Sequence, residues 1–337
     1  MCTVLYEHFY TEHIRGHHLR VGTPEDPATA RFGEAYEPFF RRTVPGQFRS
    51  AWRLELARLG APEMGFFDRR MLRNRILHGL VLEWSLALAI FAAFGFVAFF
   101  AFVLQAFTAV RLLEAVNYFE HWGLRRRGRK VRPQDSWDTH AWFTYYGLIG
   151  LTRHADHHAM AARPYQLLRV HDEAPLLPVG YVGMVDMVMG RNAEFQRHAT
   201  EELARRHLGP FAPVEEGGAA VAADPDAARA ELKRAQAEER APAGPLTRAW
   251  IRLPIGVRRG LLAAGVILAT TAGAQWESGG AGLAFPARLL FHSWILGTFV
   301  LVIVGRERIE HAVGEHLSWA LVFVAIAASG LAAAQLF

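Results

Sequence analysis

Apolar positions along this chain are gathered into a few long runs separated by polar stretches. Residues 76–94 (ILHGLVLEWSLALAIFAAF) and 96–116 (FVAFFAFVLQAFTAVRLLEAV) are separated only by Gly95. Each run is near the ~20 residues needed to cross a hydrocarbon core about 30 Å thick. So short a connection predicts a transmembrane hairpin spanning about residues 76–117. A second apolar block offers candidate spans at 258–275, 287–305 and 317–336. Residues 20–75 and 122–245 are polar and rich in Pro and Gly. Within 212–244 the composition shifts to Ala, Glu, Pro and Gly, which reads as a linker with some helix (ARAELKRAQAEER).

This pattern predicts three parts: residues 1–211 with the hairpin, a linker at 212–244, and a C-terminal membrane segment at 245–337. The expected fold class is all-α: an integral membrane helical bundle with a histidine-rich cytoplasmic cap. No internal repeat is evident.

Composition sharpens the picture. The chain has 337 residues, 52% hydrophobic and still 20% charged, which fits a membrane protein with a sizeable aqueous part. Its formal net charge is +5, and the basic residues flank apolar spans, as in RRMLRNR (69–75), RRRGRK (125–130) and RLPIGVRRG (252–260). That placement predicts that both open ends of the hairpin face the cytoplasm. It reads as membrane anchoring rather than nucleic-acid binding, for which there is no signature. Glu83, Arg111 and Glu114 are expensive inside a bilayer and are expected near an end or against protein. Cys2 is the sole cysteine, so an internal disulfide, a cysteine-ligated zinc site or an iron–sulfur cluster is excluded. Electrons, if needed, must come from another protein. The N-terminus lacks the basic start and apolar core of a signal peptide.

The candidate chemistry lies in three packets of histidine: EHIRGHH (12–18), NYFEHWG (117–123) and RHADHHA (153–159). On a helix, positions i, i+3 and i+4 share a face. His154, His157 and His158 therefore converge, as do His13 and His17, with His18 beside them. His121 stands just past the second apolar span. Neutral imidazoles ligate iron, zinc, copper and nickel. One metal takes about four such ligands, so seven imply more than one metal. Transport sites usually place ionisable groups within the spans, and these lie mainly outside them. A histidine site beside an apolar cavity suits iron, which activates dioxygen at open positions. Isolated histidines (His78, His140, His171, His198, His207, His292) read as ordinary surface or core residues.

The segments HFYTEHIRGHHLRVGTPEDPATARFGE (8–34), LLEAVNYFEHWGL (112–124) and RHADHHAMAARPYQLLR (153–169) closely resemble the integral-membrane alkane 1-monooxygenases, relatives of the membrane fatty-acid desaturases. The resemblance runs from about Tyr6 to Tyr181. TPEDPA after EHxxGHH, and NYxEHxGL before HxDHHA, favour the alkane branch. It implies two histidine-ligated irons that insert one oxygen atom of dioxygen into a terminal C–H bond. Rubredoxin or a ferredoxin would be the electron donor, an alkane or similar alkyl chain the substrate, and the bacterial inner membrane the location, with the site facing the cytoplasm. By matching position, the implied iron ligands are His13, His17, His18, His121, His154, His157 and His158. His8 matches a histidine outside that set and is expected behind it. Asp26, Glu114, Glu120 and Asp156 are candidates for carboxylates that orient the imidazoles.

The family also has an HExxH box upstream of EHxxGHH, whereas here Met1 stands twelve residues before His13. The chain is therefore expected to be a fragment of a longer enzyme. A degenerate paralogue, and replacement of the missing part by the C-terminal spans, are the alternatives. The last rests on His311 and His316 in ERIEHAVGEH (307–316) as supplementary ligands. At i, i+5 an unbroken helix points them about 140° apart, so loop histidines flanking a span are the plainer reading. A fatty acyl desaturase or hydroxylase of the same superfamily is the alternative activity.

Overall fold

A computed structural model describes residues 1–60, 62–213 and 225–239. The expected C-terminal spans, His292, His311 and His316 lie outside the described residues. Among the described residues the chain is helical, with no strand and one isolated bridge between Asp138 and Leu176. The helices are α1 (His8–Glu12), α2 (Tyr36–Arg58), α3 (Arg75–His121), α4 (Trp142–Gly147), α5 (His154–Ala159), α6 (Tyr181–Gly190), α7 (Asn192–Arg205) and α8 (Pro225–Glu239). Two compact units can be distinguished. One is Met1–Ala87 with Val103–Ala243; the other is Leu88–Phe102 with Gly244–Phe337, whose described part is the tip of α3.

α3 is two helices joined at Gly95, where φ is 78° and ψ is −174°, a backbone state essentially confined to glycine. The fold-back follows from the partners of its two arms. The Glu7 backbone N–H donates to Glu83 (2.5 Å) and the Tyr6 hydroxyl donates to Glu114 (2.9 Å). On a straight helix these carboxylates would stand roughly 46 Å apart, yet adjacent residues reach both. The rings of Phe91 and Phe99 meet across the bend at 5.8 Å. Asn74 caps the first arm by accepting from the Leu77 N–H. By length and composition α3 can cross a membrane, and only 6% of its most apolar window is buried. Phe94 and Leu88 face outward. A core helix of a soluble protein would bury this surface. The second arm stays helical to His121, beyond the apolar run, and so carries NYFEH into the body of the protein.

There the aromatic residues Tyr36, Phe39, Tyr118, Phe119, Trp122, Trp137, Tyr181 and Phe195 pack as one core with Met184 and Leu203. The Glu34 carbonyl accepts from Tyr118 Oη (2.6 Å), Trp122 Nε1 (3.0 Å) and Gln196 Nε2 (2.8 Å), while Tyr36 Oη donates to the Arg111 carbonyl (2.6 Å) and Trp137 Nε1 to the Trp122 carbonyl (3.0 Å). α8 lies within the segment read as linker. It docks here, burying Leu232 and donating from Gln236 to Gln196 at 2.6 Å.

Candidate metal centre

The first histidine packet is shaped by a π-helical turn over His13–His17, followed by a helical turn at His18–Arg20. The His18 N–H reaches back to the His13 carbonyl. A turn closed by i→i+5 bonds holds more residues, so positions i+4 and i+5 fall on either side of position i. The α-helical spacing of the sequence explains His13 with His17; the π-turn also brings in His18. Gly16 permits the turn. A Cβ there would overlap the Glu12 carboxylate, which accepts from the His17 N–H (3.1 Å) and pairs with Arg20 (2.7 Å).

α5 carries the third packet and is only six residues long, too short to persist alone. Its first turn is tied down by Asp138, which accepts from the Ala155 N–H at 2.7 Å. Asp156 then anchors it to the loop that follows, accepting from Arg163 (2.5 Å), His171 Nε2 (2.7 Å) and the Arg169 N–H (2.9 Å).

All seven expected imidazoles come together. His13 and His18 meet Nε2 to Nε2 at 3.1 Å, with His157 completing a group. His121 and His154 meet in the same way at 3.1 Å, with Glu120 beside them. His17, His121 and His158 form a third group, fully buried. In each group the potential ligand atoms lie within 4.8 Å of one another. Burial, with the neighbouring imidazoles, pushes His13 down to about 2 and His18 down to about 4, and lowers His154, His157 and His158. These rings are therefore neutral at pH 7, the state a metal needs. Burial opposes protonation of His17 as well, but the Asp26 carboxylate offsets this and raises it.

Six buried ring nitrogens of this cluster have no hydrogen-bond partner: His13 Nδ1, His17 Nε2, His121 Nδ1, His154 Nδ1 and both nitrogens of His158. Buried polar atoms are rarely left unpaired. Two imidazole nitrogens bound side by side to one metal at about 2.0–2.1 Å also sit roughly 3 Å apart. The donor set thus fits a metal centre.

The expected orienting groups divide. Asp26 accepts from His17 Nδ1 (2.8 Å) and Thr29 Oγ1 (2.6 Å), leaving Nε2 to face His121 and His158. Glu120 lies 3.3 Å from His154 Nε2 and accepts from the Tyr181 hydroxyl at 2.5 Å. Glu114 and Asp156 hydrogen-bond to none of the seven imidazoles. Glu114 is turned away and held by Tyr6, Gln47 and Asn117. Asp156, one helical step off the histidine face, points back to Arg163 and His171. His8 packs instead against Tyr6 and Phe48. His171 and Tyr181 carry contacts no local motif signals, because their partners lie 15 and 61 residues away. On the Asp26 side a cleft of about 890 Å³ is lined by Arg31, Arg42, Arg125, Arg126 and Arg127.

The family profile described as fatty acid desaturase matches residues 1–185. The chain belongs to this family. It is 42% identical over 198 residues to alkane 1-monooxygenase 1 of Pseudomonas aeruginosa, covering 56% of this chain and 50% of that protein. It is 40% identical over 218 residues to alkane 1-monooxygenase of Acinetobacter baylyi (61% and 53%). To alkane 1-monooxygenase of Pseudomonas putida it is 39% identical over 197 residues (56% and 48%). The chain spans about half the length of the curated relatives it matches.

Proposed function

We propose that this chain carries the histidine centre of a membrane non-haem di-iron monooxygenase that hydroxylates the terminal carbon of an alkane or similar alkyl chain. The observation carrying this reading is the pair of Nε2–Nε2 contacts at 3.1 Å, His13 with His18 and His121 with His154, inside one cluster of seven imidazoles. The relatives' names supply the reaction and substrate class. His13, His17, His18, His121, His154, His157 and His158 would hold two irons, whose chemistry is the activation of dioxygen. Asp26 holds His17 in one tautomer, and Asp138 and Asp156 fix the short α5.

The hairpin lies in the bacterial inner membrane with both ends at the cytoplasm, a placement that its flanking arginines support. An alkyl substrate would partition from water into the bilayer around the hairpin at roughly 0.8 kcal/mol per CH₂. The arginine-lined cleft beside Asp26 gives an acidic electron donor, rubredoxin or ferredoxin, a complementary surface.

The test is gas chromatography of products from alkane-fed cells expressing the chain with a rubredoxin system. A 1-alkanol is the expected product. Alkenes or unsaturated acyl chains without alcohol would place the chain with the desaturating members of its family, and no product would refute the activity for the chain by itself.

A further inference from the structure

The position of Glu120 differs from that of a carboxylate that steadies an imidazole from behind. Asp26 shows the latter arrangement: it takes Nδ1 of His17 and leaves Nε2 free on the inner side. Glu120 approaches Nε2 of His154, the same nitrogen that meets Nε2 of His121 at 3.1 Å. Its 3.3 Å separation exceeds the 2.7–2.9 Å usual for a charge-assisted hydrogen bond. One N–H cannot point well at both neighbours. Two imidazole nitrogens and one carboxylate oxygen therefore converge on a common point, within 4.8 Å of one another. The other oxygen of Glu120 is held from outside the cluster by the Tyr181 hydroxyl at 2.5 Å. Glu120 and Tyr181 are both fully buried, so water does not compete for either.

We propose that Glu120 is itself a metal ligand, giving one carboxylate oxygen to a divalent first-row metal ion shared with His121 and His154, while Tyr181 positions that carboxylate. The proposal rests on the metal-centre reading above and changes its character. The group His13, His18 and His157 offers imidazole nitrogens alone, whereas the His121 group adds a hard carboxylate oxygen donor. The two metal positions are then inequivalent, and the oxygen-ligated one favours the harder ion.

The experiment is ⁵⁷Fe loading of the purified full chain in detergent, with iron per chain and the ferrous Mössbauer spectrum as readouts, for wild type, Glu120→Gln and Tyr181→Phe. Wild type is expected to show two distinct doublets. Glu120→Gln is expected to lose or shift one doublet only, with iron per chain falling by up to one. Tyr181→Phe is expected to keep its iron and move that same doublet by less. A Glu120→Gln protein with the wild-type iron content and a superimposable spectrum overturns the proposal. If that variant fails to fold, as judged by its helical circular dichroism, Tyr181→Phe decides, and an unchanged spectrum overturns it. A wild-type chain that takes up no iron overturns the metal-centre reading and this proposal together. Wild-type binding with no effect of either variant overturns this proposal alone.

Discussion

Single contacts decide which way each imidazole faces. His17 has two ring nitrogens of similar reach, and the 2.8 Å contact to Asp26 turns Nδ1 outward and Nε2 inward. Replacing Asp26 with Asn leaves a group of the same size that no longer favours a single tautomer. Metal affinity is expected to fall about 10–100-fold, read by competition with a chelator. An unchanged affinity would show that the π-turn alone fixes the ring. Glu114 and Asp156 show how little residue type settles. Both are buried acids near histidines in sequence, yet they bond to Gln47 and Tyr6 in one case and to Arg163 and His171 in the other.

At the scale of the element, the centre depends on helices that would not persist alone. The π-turn is the clearest case. It needs Gly16, over which the partly exposed Arg20 closes on the buried Glu12. Gly16→Ala must open that pair, and the expected loss is about 2–4 kcal/mol, measured as a lowered midpoint of thermal unfolding in detergent. A midpoint equal to wild type would mean that the turn reverts to a regular α-helix without cost. α5 is similar in kind: six residues held by Asp138 at one end and Asp156 beyond it. α3 is the opposite case, since its two arms are long, apolar and continuous, and only Gly95 interrupts them.

For the whole molecule, the governing feature is an apolar hairpin joined to a polar, histidine-bearing body. The outward-facing Leu88 and Phe94 are 60% and 72% exposed, so a bilayer is their expected environment. In cell fractionation the chain is expected to stay with the membrane pellet after an alkaline carbonate wash. Recovery in the wash would refute a spanning hairpin. Tyr6 and Glu7 hold the two arms at Glu114 and Glu83, so the segment leading into the first histidine packet also closes the hairpin.

The sequence by itself determined the elements whose signal is local. The apolar runs about Gly95 defined the hairpin, because length and periodicity suffice for that. The three packets singled out the histidines, and helical spacing grouped His154 with His157 and His158 and paired His13 with His17, because positions i, i+3 and i+4 share one face of a helix. Tertiary structure decided what depends on distant partners. It brought His121 against His154 across 33 residues and Tyr181 against Glu120 across 61. It also gave His18 its place through a π-turn that no spacing rule anticipates. Asp26 faced an imidazole and Glu114 did not. The physical reason is that a carboxylate's direction is fixed by the donors packed around it, and those donors come from remote parts of the chain.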